Sequence, residues 1–212
     1  MSSAMSSLQP DFSVARDPPK RDLTQARVWF FLLHGVFMIV AFLGIFALGI
    51  LYGRFGRTYL PATWFKHHRA IQVTGLAFTL IGAILGIIAV QVAGAPHFAL
   101  LHQKLGLAII ILVVLQAIGG QAGHVIRQKY GRRSQNAFHV LFGIAIFALA
   151  SLNIQYGLDI WGWRPSPVWK YILGTWSIIL GLVYIGGLTL IPSQRREELE
   201  RASLEERTPL LR

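Results

Sequence analysis

Five stretches of this chain are each long and apolar enough to cross a bilayer, which takes about 20 residues of helix. They run over 28–53, 69–93, 98–126, 137–158 and 169–191. Runs such as 81–90 and 109–115 are apolar on every helical face, so lipid rather than water is expected around them. Of 212 residues, 54% are apolar and 14% charged, against about 25% charged in a soluble domain. Too few polar side chains remain to cover a water-soluble globule, which argues against a free soluble enzyme. The expected fold is all-α and integral to the membrane, with five transmembrane helices.

Polar breaks at 54–66, 94–97, 127–136 and 159–168 separate the spans. The last contains Trp161-Gly162-Trp163-Arg164-Pro165-Ser166-Pro167, which reads as a stiff interfacial turn flanked by belt tryptophans. Residues 1–27 are polar and expected to be disordered. They lack the short apolar core and cleavage site of a signal peptide, so the first span is expected to act as its own insertion signal. The chain thus divides into a tail at 1–27, a membrane domain at 28–191 and a second tail at 192–212.

A net charge of +11 invites a nucleic-acid reading, but its distribution follows the loops. Arg16, Lys20, Arg21, Arg27, Lys104, Arg164 and Lys170 fall on one side of the membrane. Arg54, Arg57, Lys66, Arg69, Arg127, Lys129, Arg132, Arg133, Arg195, Arg196, Arg201, Arg207 and Arg212 fall on the other. Basic loops are retained in the cytosol. The N-terminus is therefore expected in a lumen or outside the cell and the C-terminus in the cytosol, with no nucleic acid among the partners.

Cysteine is absent, which excludes disulfides, thiolate metal sites, covalently attached haem and cysteine nucleophiles. Histidine carries the chemistry instead. His34, His68, His102 and His139 each sit in the early part of one of four successive spans. Because successive spans run antiparallel, His34 and His102 can meet near the outer face, and His68 and His139 near the cytosolic face. Ionisable side chains inside a membrane are costly and point to function. Two neutral imidazoles facing one another across a bundle suit the two axial positions of a b-type haem.

Gly106 and Gly143 follow His102 and His139 by four residues on nearly the same face, where a missing side chain lets a flat macrocycle approach. Gln116 and Asn153 each lie 14 residues beyond their histidine, within about 40° of its face and about 21 Å along it. They are expected near the opposite haem or in interhelical hydrogen bonds. His67 points about 100° away from His68, toward the interface. His97 belongs to a solvated loop. His124 lies at the cytosolic end, either as a competing ligand or beside a haem edge.

Leu33-His34-Gly35, Trp64-Phe65-Lys66-His67-His68-Arg69-Ala70-Ile71-Gln72 and His102-Gln103-Lys104-Leu105-Gly106 mark the first three spans. Together with Gln116, Arg132-Arg133, His139 and Gly143, they resemble the cytochrome b561 family, in particular the transmembrane core that often follows an extracellular DOMON domain. The resemblance covers roughly residues 28–191. It implies a central four-helix haem-binding bundle with two non-covalent haem b groups. The axial pairs it implies are His34 with His102 (outer iron) and His68 with His139 (cytosolic-side iron).

The activity it implies is transmembrane electron transfer, as an ascorbate-dependent or ferric-reducing oxidoreductase. A cytosolic donor resembling ascorbate would reduce monodehydroascorbate or ferric iron on the other side. With only some 27 residues before the first span, no DOMON domain is expected on this chain. A haem-bearing membrane anchor of a larger redox complex is the alternative.

Expected partners are membrane lipid, a small-molecule donor and acceptor or a redox protein, and a second copy of the chain as a homodimer. Arg69, Arg132 and Arg133 either attract a cytosolic anion, pair with haem propionates, or simply mark the positive-inside face. Glu206-Arg207-Thr208-Pro209-Leu210-Leu211 fits an acidic dileucine sorting signal, which favours a vacuolar or endolysosomal membrane over the plasma membrane.

Overall fold

The computed structural model describes residues 20–130, 134–160 and 167–207. Of the tail expected to be disordered, residues 1–19 fall outside them, as do Arg132, Arg133, most of the Trp-rich turn and the leucines of the sorting signal, whereas 20–27 are helical and begin the first helix. Every described element is helical. The first span comprises α1 (Lys20–Ile39), a π turn (Val40–Phe46) and α2 (Ala47–Tyr59). The second, third and fourth are α3 (Trp64–Val92), α4 (Leu101–Tyr130) and α5 (Ser134–Ile160). The fifth is α6 (Pro167–Gly187), continued through a short 3₁₀ turn (Leu188–Leu190) into α7 (Ile191–Arg207). All five spans are long and apolar enough to cross a membrane, and the protein is integral to one.

The helices overrun the polar breaks. The first connection shrinks to 60–63, around Pro61, which has no N–H to continue a helix. Arg54, Arg57, Lys66 and Arg69 therefore extend from helical backbone. The second connection follows a Schellman cap on α3. Gly94 takes φ 62°, Gly94 N–H donates to Gln91 O at 3.0 Å, and Ala95 N–H donates to Val90 O at 3.2 Å. These bonds satisfy carbonyls that the helix end leaves open. Pro167 opens α6, the helix position where its fixed φ fits best.

The first span packs along α3 and α4 packs along α5, which makes two antiparallel hairpins. The fifth span leans on α2, α5 and the π turn. Phe42, Phe46, Ile109, Val113, Ile146 and Ala150 form a buried apolar core drawn from both hairpins. Large aliphatic side chains such as Ile84, Ile87, Leu115 and Leu182 are exposed on the outside of the bundle, as lipid demands. Hydroxyls within the spans turn back on their own helices: Thr79 donates to Gly75 O at 2.9 Å, Ser151 to Phe147 O at 2.9 Å and Ser177 to Leu173 O at 2.9 Å.

Candidate functional site

Each of the four in-register histidines leaves its own helix and lies against a glycine of its hairpin partner. A Cβ on Gly86 would lie 2.7 Å from His34 Nδ1, and one on Gly53 would lie 2.9 Å from His68 Nδ1. In the second hairpin, a Cβ on Gly157 would lie 2.8 Å from His102 Cε1, and one on Gly120 would lie 2.6 Å from His139 Cε1. All four separations are shorter than real Cβ contacts. Only a bare backbone lets the imidazoles seat this deeply.

In three of the four seats the carbonyl one turn before the glycine receives the ring. His34 Nδ1–H donates to Gly82 O at 2.7 Å, His68 Nδ1–H to Gly49 O at 2.8 Å and His102 Nδ1–H to Asn153 O at 3.0 Å. A carbonyl only accepts, so Nδ1 carries the proton and the neutral ring presents its Nε2 lone pair. His139 occupies the matching position, with Gln116 O one turn before Gly120, but its Nδ1 is buried and unpartnered. Gln116 instead donates its Nε2–H to His139 O at 2.5 Å.

Rings from different hairpins then face each other. His34 and His102 lie 6.0 Å apart between ring centroids, with planes at 89°. His68 and His139 lie 6.4 Å apart at 78°. Among the described residues no three His, Asp or Glu side chains converge as a bare metal ion would require. Pairs of imidazoles, each with a lone pair, are what the bundle offers.

The small residues near these pairs pack in a complementary pattern. Asn153 Nδ2 would lie 3.5 Å from a Cβ on Gly106, and Gln116 Nε2 would lie 2.9 Å from a Cβ on Gly143. The space left by these two glycines therefore holds a partner helix's amide, where their spacing from the histidines had suggested room for a macrocycle. In the other hairpin the sizes are exchanged: Gly49 faces the Gln72 amide and Gly82 faces Met38.

The remaining histidines stand apart. His67 is exposed, 3.2 Å from the Tyr52 hydroxyl, and His97 meets Gln91 at 3.2 Å in the exposed second connection. His124 stacks on Phe65, with centroids 3.5 Å apart and planes at 11°. At the same end Arg69 lies 5.9 Å from the Phe65 ring centre and Arg57 lies 4.5 Å from that of Trp64.

Residues 33–163, which contain all four paired histidines, match the model of the eukaryotic cytochrome b561 family. The chain belongs to the cytochrome b561 family. Membership implies haem b as the cofactor. This cytochrome b561 chain is 27% identical over 158 residues to a cytochrome b561 and DOMON domain-containing protein of Arabidopsis thaliana, covering 74% of the chain and 37% of that relative. A second such Arabidopsis protein is 29% identical over 153 residues, 72% of the chain and 40% of the relative. Ferric-chelate reductase 1 of Bos taurus is 28% identical over 144 residues, 65% of the chain and 24% of the reductase. The chain thus spans about two-fifths or less of these relatives' own lengths.

The seating glycines of this cytochrome b561 escaped sequence reasoning, although a signal for them exists. Gly86, Gly120 and Gly157 each lie 18 residues beyond the histidine of their own span, which is five helical turns and returns to the same face. Gly53 lies 19 residues beyond His34, and the π turn takes up the additional residue.

Proposed function

We propose that this protein carries electrons across a membrane through two haem b groups, one held by His34 and His102 and the other by His68 and His139. The observation that carries this reading is the spacing of the imidazole pairs. Metal–imidazole bonds of about 2 Å, extended by about 1.1 Å from each nitrogen to its ring centre, separate two centroids by about 6.2 Å across one metal atom. The pairs stand at 6.0 and 6.4 Å, so the residues present fit the group.

Bound there, haem supplies a one-electron ferric–ferrous couple at each end of the bundle. The protein's own part is orientation and insulation. The Nδ1–H bonds to Gly82, Gly49 and Asn153 carbonyls hold three rings and raise the basicity of their Nε2 atoms. Phe42, Phe46, Ile109 and Val113 keep the middle of the bundle dry.

The basic ends of the spans support a cytosolic C-terminus and a cytosolic, anionic, ascorbate-like donor met by Arg69. Monodehydroascorbate or ferric iron is the acceptor on the other side. The reductase among the relatives favours the ferric branch. The dileucine pattern favours an endolysosomal or vacuolar membrane over the plasma membrane. A haem-to-protein ratio and a redox titration on the purified chain test the reading. Two b-type haems reducible by ascorbate are expected; a protein without a b-type difference spectrum would overturn it.

A further inference from the structure

The first span differs from the other three of the bundle. It carries 19 residues from histidine to seating glycine where the others carry 18, and among the described residues it alone contains a π turn, Val40–Phe46. The two facts are one. A π turn accommodates a single added residue within a helix, so Gly49 and Gly53 return to the face they would occupy in an uninterrupted 18-residue spacing. Those are the residues that seat His68 and accept its Nδ1–H.

Widening the turn disturbs its own hydrogen bonding, and no water is present in the bilayer core to compensate. Leu43, in the middle of the π turn, is buried. Its carbonyl accepts a hydrogen bond from Trp176 Nε1–H at 2.9 Å. That donor comes from α6, which contributes none of the paired histidines.

We propose that Trp176 is a positioning residue for the His68–His139 pair, acting by holding the π turn and through it the Gly49 carbonyl against His68 Nδ1. There is little slack along this line. A Cβ on Gly49 would already lie 2.7 Å from Gln72 Nε2, and the ring of His68 lies against Gly53. If the turn drifts, the Gly49 carbonyl moves away from Nδ1. A weaker bond there makes the imidazole a poorer donor to iron, which favours the ferrous state. His34 precedes the turn and donates its Nδ1–H to Gly82 O, so its pair is untouched.

This inference rests on the haem reading above, and the experiment separates the two. Trp176→Phe keeps the ring and removes only the N–H. It is made in the full chain and in a chain lacking Val40, where the spacing becomes 18 and the π turn is no longer needed. Redox titration of the haem-loaded proteins is the first readout, with the couple of the His68–His139 site identified as the one missing in His139→Ala.

In the full chain, Trp176→Phe is expected to keep both haems, raise the potential of that couple and leave the other unchanged. In the Val40-deleted chain it is expected to change neither. A titration superimposable on the parent's, a shift confined to the other couple, or an equal shift in both backgrounds overturns the proposal. The second readout is thermal unfolding of the haem-free proteins, where Trp176→Phe is expected to lower the midpoint in the full chain only. A parent with no b-type spectrum overturns the haem reading alone. The unfolding comparison then still decides whether Trp176 holds the turn.

Discussion

Gln116 and His139 are bonded in an unusual sense: the glutamine side chain donates to the histidine's main-chain carbonyl at 2.5 Å, rather than to its ring. The bond crosses from α4 to α5 and lies over Gly143, whose missing side chain admits the amide. Replacing Gln116 by Leu removes this bond and forces an apolar group into the slot. The His139 carbonyl keeps its own helical bond, so losing this second one costs about 0.5–1.5 kcal/mol. The expected outcome is a thermal midpoint several degrees lower, with the absorbance of the His68–His139 haem reduced more than that of the other.

The imidazole seats make a sharper test. Gly86→Val and Gly157→Val fill the seats of His34 and His102; Gly53→Val and Gly120→Val fill those of His68 and His139. Each is expected to lower the haem-to-protein ratio from two toward one. The two members of a set should deplete the same spectral component, while variants from different sets deplete different ones. Difference spectra resolved by redox titration check this.

Removing a ligand outright should behave the same way and not additively. His139→Ala is expected to lose about half the haem while sparing the His34–His102 site. His68→Ala combined with it should lose no more, because both imidazoles serve one pair. Pyridine haemochrome quantification of the single and double variants measures it. Loss of neither haem in His139→Ala would sink the pairing.

The basic end of the bundle predicts a charge effect on reduction. Arg69 lies beside the Phe65 ring and is exposed, where it can attract an anionic reductant. Arg69→Glu is expected to slow reduction by ascorbate several-fold at low ionic strength, with the difference shrinking as salt screens the field. Stopped-flow reduction at two salt concentrations reads it, with a neutral reductant as the control.

The legible parts of the sequence were those where membrane physics leaves few choices. Uninterrupted apolar runs could only be helices. Four histidines inside them were conspicuous because an ionisable group rarely enters hydrocarbon without a task. Helix ends were harder, since Arg54 and Lys66 sit on helices that continue into the interface, where polar side chains and helical backbone coexist. Glycine hides its role for the opposite reason to histidine. It is common wherever membrane helices pack closely, so Gly86 and Gly157 look no different from Gly181 until a ring is seen lying on them. The π turn left no mark in composition at all. Only the spacing of His34 and Gly53, compared with that of the other three spans, betrays it. His124 was ambiguous as a ligand, and its stacking on Phe65 depends on which turn of α3 faces α4.

Each histidine is braced inside its own hairpin but finds its pair only in the other. The first hairpin can therefore set the tautomer and seat of both its rings from its own two helices, whereas the second seats both of its rings but fixes the tautomer of His102 alone. The pairs themselves close only when the two hairpins meet: His34 needs the third span, which carries His102, and His68 the fourth, which carries His139. On the haem reading proposed above, cofactor binding would tie together two hairpins that each seat their own histidines.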